Sequence, residues 1–411
     1  MVEDPYQYHR EIDRRAPARR FLRIFAIIVV FIALIVATVN LAAYRYMLSE
    51  NNQAIVQLLS GWGRIYKPIL FDELRPNVAV FGASWARDAF DPVETSDLLG
   101  LRVFNHGVSG GTPYETRRFA DSSLDNPELE AAVINLDTFY QDELGARFRY
   151  GFDESILDLN SDHEPNPFVG LRRAYSLALG GWAVGANIKF ISAIITRDRG
   201  AARPDYLESY QRANLTQSRY LIPETRQRIF PGFDGASVVP RQQFPARFLV
   251  PEPVELDVLI EGFCANGIDV YAYFTPHHSR KPEECDPQAR EELATLKFLR
   301  RKQATCGAKI GYFDFSYPNV VTLEGVLTPV KSSKYYRPDG HPRPSVGLLM
   351  AASMFGNEFP PDTSTLLEQD FGVDLLAHPD AEGWLLERAA RCEGDWGDSG
   401  YSGYAAALAE Q

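Results

Sequence analysis

The feature that most constrains this chain is an uncharged apolar run at residues 24–43, Ile-Phe-Ala-Ile-Ile-Val-Val-Phe-Ile-Ala-Leu-Ile-Val-Ala-Thr-Val-Asn-Leu-Ala-Ala. As a helix rising about 1.5 Å per residue it covers a hydrocarbon core of about 30 Å, so it is long enough to cross a bilayer. The rival reading is a cleaved secretory signal. Such signals carry an apolar region of about 7–15 residues, and Leu41, Ala42, Ala43 and Tyr44 make a poor cleavage site. Arginines at 10, 14, 15, 19, 20 and 23 crowd one flank, against Arg45 close on the other. The positive-inside bias predicts a cytoplasmic N-terminus at residues 1–23 and a single pass through the inner membrane, with the remainder in the periplasm or its equivalent.

Charge narrows the function of that remainder. The chain carries −12 in total, with +2 on residues 1–23 and hence −14 beyond them. An acidic exported domain is a poor binder of nucleic acid or anionic polymers by bulk charge. Its length exceeds the common size of one domain, so one large domain with insertions, or a domain plus appendages, is expected. Cys264, Cys285, Cys306 and Cys392 show no C-x-x-C pairing. Export permits a disulfide, with Cys285 and Cys306 a nearest pair in sequence, although scattered cysteines in a long chain are more often buried small hydrophobes.

The pattern after the span reads as a helical stalk over 44–75 and then as alternating strands and helices. Apolar runs at 78–81, 101–105, 131–136, 268–274 and 309–315 predict strands buried on both faces. Helices are expected at 113–124, 253–266, 287–306 and 344–355. Residues 140–250 break the rhythm with a polar loop at 153–167, two helical patterns near 170–197 and 203–227, and a Pro/Gly-rich stretch at 231–253. That block reads as an insertion in an α/β domain spanning 76–358. The expected fold is a three-layer α/β sandwich with a mainly parallel sheet, whose reactive residues lie beyond the carboxyl ends of the strands. The extension 359–411 shows no strand pattern, only a short helical one at 382–392, and suggests no function.

Four segments deliver polar residues to that edge. The first strand ends in Gly82-Ala-Ser84, a small-residue turn that would lift a hydroxyl onto the edge, as in a nucleophile elbow. The second ends in Asn105-His106-Gly107 and continues through glycines to Pro113, where backbone amides can approach a ligand closely. The third ends in Asn135-Leu-Asp137. Far downstream comes Asp339-Gly-His341. His277 and His278 follow a strand and suit substrate contact; adjacent histidines diverge in extended chain, so no metal site is expected from them. For His106, substrate contact and a structural hydrogen bond are open alternatives, and for Tyr335 and Tyr336 a sugar-facing wall stands beside the more usual buried packing.

Taken together, these segments resemble the SGNH, or GDSL-type, hydrolase superfamily, and most of all its membrane-anchored branch with the D-alanyl lipoteichoic acid transfer and alginate-type O-acetyl transfer proteins. The resemblance covers roughly residues 76–140 and 253–358. It implies a flavodoxin-like sheet, Ser84 as nucleophile, His341 as general base and acid, and Asp339 as the carboxylate that orients the imidazole. It implies an oxyanion hole from the backbone amides of Ser84 and Gly107, with a side-chain donor from Asn135 or Asn105. Two departures stand out: the acid precedes His341 at Asp-x-His spacing, with Asp314 in reserve, and Asp137 occupies the position of the family's third-strand asparagine, where it would face substrate. The expected activity is a serine esterase or O-acyltransferase working on an extracytoplasmic polysaccharide or cell-envelope glycan. No cofactor is expected; a multispanning membrane acyltransferase is the expected partner. A catalytically degenerate module that binds polymer or organises an export complex is the alternative, since function resides in the site and not in the fold.

Overall fold

The computed structural model describes residues 5–48, 63–139, 148–149, 151–160, 164–181, 183–185, 254–276, 288–315, 321, 335, 341–359 and 371–390. In chain order the elements begin with α1 (Pro5–Leu48), α2 (Gly63–Leu74), β1 (Val78–Phe81), α3 (Ser84–Ala89), α4 (Pro92–Leu99) and β2 (Val103–Asn105). They continue with α5 (Pro113–Ser123), β3 (Ala131–Asn135), α6 (Val169–Leu179), α7 (Val254–Ala265) and β4 (Asp269–Phe274). The last are α8 (Gln288–Thr305), β5 (Ile310–Asp314), α9 (Pro344–Phe355), β6 (Val373–Asp374) and α10 (Ala381–Ala390). The described residues fall into two compact units, one within 1–55 and 167–202, the other within 56–166 and 203–411.

The first unit is built on α1. Its stretch Pro17–Ala42 has a mean hydropathy of 3.0 and leaves its apolar side chains exposed. It is long and apolar enough to cross a membrane. From the insertion, α6 packs against α1, and Asn40 Nδ2 donates to the Ala178 carbonyl at 2.8 Å.

The second unit holds a six-stranded sheet in the order β2-β1-β3-β4-β5-β6. The first five strands are parallel and β6 is antiparallel to β5. The predicted mainly parallel α/β architecture is therefore present. Alternate side chains along each strand enter opposite faces. Val78, Val80, Val133, Tyr271, Tyr273 and Phe313 pack with Ala86, Ala89 and Phe90 around α3, and with Val346, Leu349 and Met350 of α9. On the other face Phe81 meets Phe263 of α7, with ring centroids 5.6 Å apart. Covering both faces explains why the strands read as unbroken apolar runs rather than alternating ones.

Helix starts follow their local sequence. Asp91 caps α4 by accepting from the amides of Val93 and Glu94, with Pro92 next in line. Thr112 and Glu115 form a reciprocal capping box on α5, with Pro113 at its first position. Both arrangements satisfy amides that have no intrahelical acceptor.

Three expectations are corrected. Residues 63–74 are not stalk: α2 buries Gly63 through Phe71 and packs against α5. The extension does contribute a strand, β6, too short to show any periodicity. The cysteine pair is Cys264–Cys306, not Cys285–Cys306, because the end of α7 and the end of α8 meet in space although 42 residues apart in sequence. The polar loop is also more structured than expected: Ile156 and Leu157 are buried, and Arg118 of α5 donates to the Leu159 carbonyl at 2.5 Å. The predicted helix at 203–227 lies outside the described residues.

Closing a loop of this size by a disulfide removes unfolded-state entropy equivalent to about 4 kcal/mol. Cys264→Ser is expected to lower the free energy of unfolding by up to about that amount in urea titrations. An unchanged midpoint would show that the bond contributes nothing to stability.

Candidate active site

β1 delivers Gly82, Ala83 and Ser84 to the carboxyl edge of the sheet, and Ser84 is the first residue of α3. Gly82 has φ 155°, and a Cβ there would lie 2.7 Å from Asn135 Cβ and 2.8 Å from Ala86 Cβ. The turn is tight because β1 and β3 are adjacent and the side chain is missing between them. Its amide end is fixed by Ala83 N donating to Thr138 Oγ1 at 2.9 Å. At the first turn of a helix the Ser84 amide has no intrahelical acceptor.

His341, 257 positions downstream and just ahead of α9, places its Nε2 3.1 Å from Ser84 Oγ. Both residues are partly exposed, and Trp85 stands edge-on to the imidazole with centroids 6.1 Å apart. This is the contact a serine nucleophile needs with its base: a neutral Nε2 can accept the hydroxyl proton as oxygen attacks. Asp339, expected to orient the ring, lies outside the described residues, as do His277, His278 and Tyr336. The reserve acid, Asp314, is buried at the end of β5. Tyr335 is buried in the core beneath α9, so it packs rather than walls a sugar site.

The oxyanion donors drawn from the resemblance are differently employed. Gly107 N donates to Asn105 Oδ1 at 2.7 Å. Asn105 Nδ2 lies 2.7–3.2 Å from the carbonyls of Ala86, Arg87 and Phe90, tying the end of β2 to α3. Asn135 Nδ2 donates to Asp137 Oδ2 and to Thr275 Oγ1, each at 2.8 Å. These amides brace the edge and do not converge on the Ser84 hydroxyl. Gly107 is required sterically, since a Cβ there would come 2.5 Å from Arg87 N.

Asp137 is likewise a brace. Its Oδ2 also accepts from Thr275 N at 2.8 Å, so one carboxylate clamps the ends of β3 and β4. Asn135, Asp137, Thr138 and Thr275 thus form a hydrogen-bonded chain that ends at the Ser84 turn. His106 belongs to the core. It is 2% exposed, stacked on Phe81 at 5.2 Å and Phe119 at 5.6 Å, with Ser123 Oγ 3.4 Å from Nε2. Burial and the nearby Lys67 charge hold its pKa well below the usual histidine value. It therefore stays neutral and structural, and makes no substrate contact.

Sequence reasoning missed Lys67 and Arg64. From α2, the buried Lys67 Nζ donates to the carbonyls of Asn105 and Gly107, both at 2.6 Å. Arg64 pairs with buried Glu115 at 2.9 Å and donates to the carbonyls of Ser109 and Gly110. Two cations of one helix thus hold the loop after β2 against the Ser84 turn. Arg87 and Asp88, beside the serine, form a bidentate pair at 2.7 and 2.9 Å. Among the described residues no cluster of His, Cys, Asp and Glu is arranged to hold a metal.

Burial, with Arg87 adding repulsion, lowers the Lys67 pKa to about 7. The unfolded chain then binds more protons than the folded one between about pH 7 and pH 10.5, so this lysine makes stability rise with pH across that window. The difference in unfolding free energy between the wild type and Lys67→Met is expected to shift in favour of the wild type from pH 7 to pH 10. Parallel profiles in denaturant titrations would remove Lys67 from the pH response.

Comparisons of this chain with models of protein families, with curated proteins and with solved structures return no match.

Proposed function

We propose that this chain is a membrane-anchored serine esterase or O-acyltransferase of SGNH type that acts on an extracytoplasmic polysaccharide or cell-envelope glycan. The observation that carries the reading is the 3.1 Å approach of His341 Nε2 to Ser84 Oγ at the carboxyl edge of a mainly parallel sheet. In the reaction, Ser84 Oγ attacks the acyl carbonyl as its proton passes to His341. The donor's alcohol or thiol leaves with that proton, and the acyl group stays on Ser84 as an ester. An incoming water or sugar hydroxyl then gives its proton to His341 and takes the acyl group, and as the Ser84 ester bond breaks that proton passes to Oγ.

Two further features support an exported enzyme. The Cys264–Cys306 disulfide suits an oxidising compartment, and the arginine-rich flank of α1 suits a cytoplasmic N-terminus. The anchor favours transfer over free hydrolysis. A tethered transferase meets acyl groups presented by a multispanning membrane partner at raised effective concentration, which a soluble hydrolase does not need.

One observation favours the second reading, a degenerate module that binds polymer without catalysis. The Gly107 amide and the Asn105 and Asn135 side chains are spent on internal hydrogen bonds, leaving the Ser84 amide as the donor of the expected set. One such donor is worth about 3 kcal/mol of transition-state stabilisation.

A fluorophosphonate probe applied to the full-length chain separates the two. Labelling is expected, abolished by Ser84→Ala and slowed about 10²–10⁴-fold by His341→Gln with the circular dichroism unchanged. Absence of Ser84-dependent labelling would overturn the covalent mechanism and leave the binding module. Where labelling occurs, release of the alcohol from an acetyl ester is expected to rise when a sugar acceptor is added, with the acetyl group recovered on the sugar rather than as free acetate. A rate indifferent to acceptor assigns hydrolysis.

A further inference from the structure

α6 is the insertion's described helix, and it packs on α1. The covered side of α1 runs through Ala33, Val36, Ala37, Asn40 and Tyr44, at the helical spacings of one face, while Leu34, Ile35, Val39 and Leu41 beside it stay exposed. The contact therefore lies within the apolar stretch and not beyond it. Asn40 sits three residues, or about 4–5 Å, inside the end of the uncharged run. There its amide donates to the Ala178 carbonyl, in the last turn of α6. Carbonyls of a last helical turn have no intrahelical donor, and a side-chain amide at membrane depth has no water. Each satisfies the other, an arrangement used between helices in lipid.

The outward side of α6 is equally telling. Phe168, Leu171, Tyr175 and Leu179 are spaced three, four and four residues apart, so they form one stripe. They are 66, 71, 57 and 42% exposed. The opposite side, with Ser176 and Leu177, is buried. A helix of a water-soluble unit would place its apolar stripe inward; this one turns large apolar groups out, next to the exposed apolar side chains of α1. Arg172 beside the stripe is compatible with lipid, because its stem is long enough to carry the guanidinium to the headgroups.

We infer that α6 is a second membrane-contacting element, whose stripe Phe168, Leu171, Tyr175 and Leu179 meets lipid acyl chains continuous with those around the outer half of α1. The insertion would then return the exported chain to the bilayer, so that the protein is held at two points. The inference rests on α1 crossing a bilayer and is independent of the chemistry at Ser84.

The test is site-specific photo-crosslinking of the full-length chain in nanodiscs of phosphatidylethanolamine and phosphatidylglycerol. A benzophenone amino acid replaces Leu171, with Ile32 as the position inside the span and Asp97, exposed on the α/β unit, as the position in water. The expected result is a lipid mass adduct at position 171 in yield comparable with position 32, and none at position 97. Adducts at 32 but not at 171 overturn the inference. Chain-to-chain crosslinks at 171 overturn it in favour of a contact between copies. Loss of adducts at both 32 and 171 overturns it together with the membrane span.

Discussion

A parallel sheet gathers the carboxyl ends of its strands at one edge, and everything proposed for this chain depends on that constraint. β1 brings Ser84 there, β2 brings the glycine loop and β3 brings Asn135 and Asp137, all at one end because the strands run the same way. The serine and the histidine come from segments 257 residues apart, yet the sheet and α9 converge on a separation of 3.1 Å. Local sequence cannot set such a distance; the stacking of α9 over α3 and α4 does.

The edge is held by polar groups that bond to one another and to the backbone. Asn105 and Asn135 present the right residue types for an oxyanion hole and instead tie strand ends to their neighbours. Lys67 and Arg64 donate hydrogen bonds to the carbonyls of the loop after β2. A buried ammonium is costly unless hydrogen-bonded, and its two carbonyl partners make the cost tolerable while fixing the loop's course. The result is an edge stiff around Ser84, which suits pre-organised chemistry.

How much of this was legible in the sequence follows from what each signal depends on. The strands were readable because double burial writes unbroken apolar runs such as Val78 to Phe81. The order of the turn motifs was readable because each closes a strand. The direction of an amide was not: Asn105 and Asn135 look alike whether they face substrate or backbone. Lys67 and Arg64 left no motif, since most of their partners are main-chain carbonyls. A usable signal lay beside them, for Ile65, Tyr66, Ile69, Leu70 and Phe71 are too apolar for a solvated stalk. The disulfide was missed because nearness in sequence does not measure nearness in space.

The two residues of β6 carry a consequence out of proportion to their length. β5 would otherwise end the sheet with a row of open amides and carbonyls, a template for another chain's strand. By running antiparallel to Phe313 and Asp314, Val373 and Asp374 occupy part of that row. The extension, which has no assigned chemistry, thereby covers backbone groups at an edge that would otherwise be open to another chain's strand.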